Sequence, residues 1–287
     1  MGIYIFIKKS GGGKSFSAVA FMKQFLENSF SVNRDSKKLF GFLEMPPRDR
    51  LKMCHKLIDE FNKKGYNFKK PEHVVWSNLT MWSKHYGKEV VNHTLPADKI
   101  GLYDPDYKTW TPAPGSIVIW DEGQLQADGR DSMEMHPRVK AISYLHRKWR
   151  MDILIFTQLD RIDKTFRGNA TIVEIEEDRK DKKDKYGFIT SSTIKFRVFD
   201  SSKDYDAYNS SLKSKYYKET TYTVQGCMFD HYDSYEGQEY FAECAARNGG
   251  LSMIKATRLK NTREAIKEWV NANPYISPKE YTKGGKK

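Results

Sequence analysis

Two short groups of residues in this chain have the types and spacing that phosphate chemistry needs. The first is Lys8-Lys9-Ser10-Gly11-Gly12-Gly13-Lys14-Ser15. It follows the apolar run Ile3–Ile7 and precedes the helical pattern Phe16–Met22. Strand, glycine-rich turn and helix are the setting of a phosphate-binding P-loop. Glycines let backbone N–H groups turn inward around a phosphate, and the helix start adds partial positive charge. Ser10, Gly11, Gly12 and Gly13 are then the cradle. Lys14 reaches the β- and γ-phosphates of ATP, and the Ser15 hydroxyl ligates Mg²⁺. The usual first glycine is replaced by Lys8, which either relaxes the loop or adds a cation near the phosphates.

The second group is Asp121-Glu122, which ends the apolar run Ser116–Trp120. A carboxylate in that place holds Mg²⁺, and an adjacent glutamate activates water as a general base. Gln158 ends another apolar run, Met151–Thr157. Beside Asp121-Glu122 in a parallel sheet, its amide would orient water or sense the γ-phosphate. The three run ends would then meet where ligands bind in open α/β sheets. Arg147, Arg150 and Arg167 are left. One of them, Arg147 or Arg167 first, is a candidate arginine finger reaching a neighbouring subunit's site.

The elements that must position these groups follow from the hydrophobic pattern. Continuous apolar runs suit strands buried on both faces. The run at 116–120 is of this kind, and further strands are read at 3–7, 73–78, 151–158 and 171–175, with helical patterns at about 50–64 and 137–149 between them. Strands alternating with helices predict an α/β three-layer domain. The helix at 50–64 reads as an insertion, within a polar segment at about 34–72, packed on the sheet edge. The stretch 86–114 is broken by Pro96, Pro105, Pro112 and Pro114 and reads as loop. Residues 178–185 read as a charged turn, with 188–199 as the hairpin partner of 171–175. Domain boundaries are expected at 1–200 for the core and 201–287 for a small C-terminal α+β extension. A last helix over 263–271 precedes a mobile basic tail.

Composition narrows the partners. The 287 residues carry a formal net charge of +12, which favours a polyanion such as DNA or an anionic membrane surface. Cys54, Cys227 and Cys244 are odd in number and form no C-x-x-C pair, so a disulfide framework or zinc site is not expected. No signal peptide is read at the start, and no window approaches the ~20 apolar residues of a membrane-spanning helix. Membrane contact is expected only through a partner.

With these blocks in order, the chain resembles the zonula occludens toxin-like proteins and the filamentous-phage gene I assembly proteins. The resemblance rests on Gly11-Gly12-Gly13-Lys14-Ser15 and Ile119-Trp120-Asp121-Glu122-Gly123-Gln124. It continues through His146-Arg147-Lys148-Trp149-Arg150-Met151-Asp152-Ile153, Thr157-Gln158 and Ile162-Asp163-Lys164-Thr165-Phe166-Arg167. It covers residues 1–200, is strongest over 116–175 and is thin over 30–115. The family belongs with the FtsK/HerA-like packaging ATPases. The resemblance implies a P-loop NTPase with a RecA-like core and a mainly parallel sheet. It also implies a homo-oligomeric ring and ATP hydrolysis coupled to moving DNA or extruding virions. Phe229–Tyr235 is similar to the tyrosine-containing segment that often closes such domains. The filamentous-phage members continue into a transmembrane helix and an outer domain, for which nothing here is apolar enough. That favours a motor of the host cytoplasm or the virion, or one peripheral to the inner membrane, working with capsid, coat or portal proteins. A P-loop small-molecule kinase and a nucleotide-binding assembly protein with little turnover are the alternatives.

Overall fold

The computed structural model describes residues 1–8, 13–26, 34–77, 79, 81–83, 88–90, 102–104, 109–123, 127, 137–157, 162–176, 179–185, 187, 189–210 and 216–225. The chain opens with strand β1 (Ile3–Ile7), all five residues buried. Helix α1 (Lys14–Leu26) follows and is buried around most of its circumference, as a helix apolar on nearly every side must be. After a short helix α2 (Arg34–Leu39) and a 3-10 turn (Gly41–Leu43) comes α3 (Pro47–Asn62). Pro47 sits in its first turn, where a missing N–H costs nothing.

Strand β2 (Val75–Ser77) precedes two short antiparallel pairs, β3 (Met81–Ser83) with β4 (Lys88–Val90) and β5 (Leu102–Asp104) with β6 (Thr109–Thr111). The proline-broken stretch is therefore not all loop. Then come β7 (Ile117–Trp120), α4 (Pro137–Leu145), β8 (Asp152–Thr157), α5 (Lys164–Arg167) and β9 (Ala170–Ile175). The described chain closes with β10 (Lys180–Lys183), β11 (Ile189–Phe199), α6 (Ser202–Ser210) and β12 (Lys218–Gln225).

The main sheet runs β10-β11-β9-β1-β8-β7-β2, with β12 also on β11. Neighbours from β9 to β2 are all parallel, while β10, β11 and β12 pair antiparallel. The fold is α/β with a mainly parallel sheet, and β11 is the antiparallel partner of β9 that alternation predicted. The charged segment read as a turn holds strand β10. Its lysines sit where pairing ends, and charge there discourages further strand addition. The sheet continues beyond residue 200 through β12, and the first compact unit spans Met1–Cys227. The expected helix at 263–271, the segment Phe229–Tyr235 and the basic tail lie outside the described residues. Among those residues, no helix is long and apolar enough to cross a membrane.

Phe6, on the central strand, anchors the core. Its ring stacks on Phe156 at 4.6 Å, with Phe21, Phe40 and Phe196 within 6.0 Å. One side chain thus ties β8, α1, the residue before the 3-10 turn and β11 to β1. Helix α3 docks at the amino-terminal edge of β8 through a buried ion pair. Arg50 Nη2 lies 2.5 Å from Asp152 Oδ2, and Arg50 Nε donates to the Gly115 carbonyl at 3.0 Å. The Gly2 amide donates to the other carboxylate oxygen of Asp152 at 2.7 Å. These bonds satisfy charges that burial would otherwise penalise heavily.

Candidate nucleotide site

The site forms at the carboxyl-terminal edge of β1, β8 and β7. Strand β8 lies between the other two, with Ile7 opposite Thr157 and Trp120 opposite Ile155. Asp121 and Glu122 therefore leave the sheet beside the chain that leaves β1.

At the end of β1 the Lys8 amide extends the ladder to the Thr157 carbonyl at 3.3 Å. Its side chain is buried, and Nζ donates to the Glu176 carbonyl at 2.5 Å. The ammonium fastens the end of β1 to the residue that follows β9. Ser10, Gly11 and Gly12 lie outside the described residues. Gly13 has φ of +87°, the left-handed region that favours glycine. Its carbonyl opens helix α1 by accepting from the Ser17 amide at 3.0 Å and the Ser17 hydroxyl at 2.9 Å.

Lys14 and Ser15 then face the two carboxylates. Ser15 Oγ donates to Asp121 Oδ2 at 2.6 Å, and Lys14 Nζ lies 3.8 Å from Glu122 Oε1. Lys14 and Asp121 are both buried. Burial pushes the Asp121 carboxyl up to about 6, reinforced by the neighbouring Glu122 charge and opposed by the Ser15 hydrogen bond and Lys14. Two hard oxygen donors side by side, one a buried carboxylate whose charge needs a counter-ion, fit a Mg²⁺ site completed by phosphates and water.

Glu122 holds φ of +47°, a backbone state that side chains other than glycine and asparagine rarely adopt. Strain of this kind persists where surrounding structure enforces it, often at functional sites. The next residue, Gly123, is held tightly against the sheet. A Cβ there would lie 2.4 Å from Ile155 Cγ2, on the fully buried neighbouring strand. The Ile162–Arg167 block supports the same turn from behind. The Asp163 side chain accepts from the Thr165 amide at 2.8 Å and caps α5. Phe166 meets the Trp120 ring edge-on at 5.9 Å. Asp163 and Phe166, which carried part of the family resemblance, thus cap and pack here.

Gln158 lies outside the described residues, although β8 ends at Thr157, directly before it. The two arginines lie elsewhere. Arg147 is exposed in the turn between α4 and β8, whose first residue pairs with Ile117 at the start of β7. Arg167 stands three residues before Ala170, the partner of Ile3, and contacts Asp206 at 3.3 Å. Both therefore sit toward the amino-terminal edge, which the length of β1 separates from the loop by about 13 Å. Neither is brought to the phosphate loop of its own chain.

No protein-family profile and no curated protein sequence matches this chain. Among solved structures, it is similar to the N-terminal domain of zonular occludens toxin from Neisseria meningitidis, at 16% identity and a TM-score of 0.42, over 81% of this chain and 98% of that one.

Proposed function

We infer that the chain is an ATPase that uses Mg²⁺ and drives DNA packaging or virion assembly and extrusion. The observation that carries this reading is the convergence of Lys14 and Ser15 with Asp121 and Glu122, across the strand that separates their own. Ser15 and Asp121 would hold Mg²⁺, which would neutralise charge on the phosphates. On nucleotide binding the Lys14 ammonium exchanges the Glu122 carboxylate for phosphate oxygens. Glu122 is then able to accept the proton of the attacking water, and Gln158, next after β8, would orient that water. The net charge of +12 supports DNA as the polyanion that is moved. Arg147 and Arg167 lie away from Lys14 and Ser15 of their own chain, so either would act as an arginine finger only in a neighbour's site, within a ring. Capsid, coat or portal proteins are the partners that a packaging or extrusion motor would engage.

The test is ATP hydrolysis with and without single- and double-stranded DNA, for the wild type, Glu122→Gln and Lys14→Ala. DNA-stimulated turnover, abolished by both substitutions, is expected. Bound ATP with no turnover under any condition would overturn the motor reading and leave a nucleotide latch in an assembly protein. For the arginines, doping wild-type chains with Arg147→Ala or Arg167→Ala chains should depress turnover more than in proportion if one acts across subunits.

A further inference from the structure

On the other side of β1 from the carboxylates, an arginine that no part of the mechanism uses is held in a fixed pose. Arg179 lies in the link from β9 to β10, with its Cζ 4.5 Å from the centre of the Phe16 ring. Phe16 directly follows Ser15. The guanidinium is clamped by Asp181, with Nε to Oδ1 at 3.0 Å and Nη2 to Oδ2 at 2.9 Å. Asp181 is anchored in turn by the buried Ser192 hydroxyl at 2.7 Å. A bidentate carboxylate on one edge and an aromatic ring on one face fix the plane of the guanidinium. A third of the Arg179 side chain is still exposed.

The sheet order says what such a plane would meet. The carboxylates follow β7, on one side of β1, and Arg179 follows β9, on the other. A triphosphate whose γ end faces Asp121 and Glu122 runs along the start of α1, so its nucleoside end points toward β9. The geometry points to Arg179 as the residue that stacks on the base of the bound nucleoside triphosphate, backed by Phe16. Stacking uses the π face that every base has, so it adds affinity for the nucleoside without selecting adenine over guanine. The inference rests on the nucleotide-binding reading of the Lys14–Ser15 loop.

The experiment is equilibrium binding of MgATP, MgGTP and Mg-tripolyphosphate to the wild type, Arg179→Ala and Lys14→Ala. Arg179→Ala should weaken ATP and GTP by about tenfold and leave tripolyphosphate unchanged, which also shows that the loop is intact. Lys14→Ala should weaken all three. If Arg179→Ala changes ATP affinity less than twofold, or weakens tripolyphosphate as much as ATP, the stacking role is overturned while the loop reading stands. If Lys14→Ala binds all three ligands like the wild type, the loop reading itself fails and the inference falls with it.

Discussion

The Ser15 hydroxyl and the Asp121 carboxylate meet at 2.6 Å although 106 residues separate them in the chain. This contact joins the start of α1 to the end of β7, and the burial of Asp121 there makes the site sensitive to protons although the hydrogen bond itself opposes protonation. Burial raises the Asp121 carboxyl to about 6, so the folded protein binds a proton that the unfolded chain has already lost. Stability contributed by that proton is complete below the ordinary aspartate range and is lost as pH rises through about 6. The loss is about 3 kcal/mol at most. Urea unfolding from pH 4 to 7 should show the decline in the wild type and not in Asp121→Asn. Saturating Mg²⁺-nucleotide, which favours the ionised carboxylate, should flatten it. Equal slopes in both proteins would mean that another group titrates.

Glu122 is strained by its positive φ, and relief of that strain should be measurable. Glu122→Gly is expected to stabilise the fold by about 1 kcal/mol while eliminating hydrolysis. A lower urea midpoint for the variant would show that the backbone there is not under strain.

Gly123 is a close-packing position against Ile155. Gly123→Ala should cost about 1–3 kcal/mol, because a β-branched neighbour on a buried strand has little room to yield. Adding Ile155→Ala removes the clashing methyl. The double variant should then be less destabilised than the sum of the singles, as read from denaturant midpoints.

The Arg50–Asp152 pair predicts a stability effect far from the site. Asp152→Asn leaves a buried guanidinium short of its counter-charge and should cost about 3–5 kcal/mol. Replacing both partners, Arg50→Met with Asp152→Leu, should recover much of that loss. Nucleotide binding by whatever fraction is folded should be unchanged in either variant.

The parts of this architecture visible in the sequence are those that local chemistry determines. The residues 3–7, 117–120 and 153–156 form apolar runs, and they lie in the buried parallel strands. Gly13-Lys14-Ser15 and Asp121-Glu122 are recognisable because the proposed phosphate and Mg²⁺ chemistry would demand those groups. Chain order does not encode sheet order, so the insertion of β8 between β1 and β7 became visible only in three dimensions. Lys8 illustrates the same limit: its partner is the backbone carbonyl of Glu176, which no pattern of residue types announces. Gly123 belongs to the motif that carries the resemblance, but the sequence does not announce its close approach to Ile155. Strand β10 was disguised by its lysines, which polarity alone assigns to a turn.

The parallel ladders on both sides of β1 also have a mechanical consequence. Every residue of this strand pairs with β8 on one flank and with β9 on the other. Force applied to the phosphate loop along the strand axis is therefore shared by two full ladders in shear rather than peeling one bond at a time. The loop is mounted on a strand laddered on both flanks, so a pull generated at bound phosphates would be transmitted to the body of the domain with little stretch.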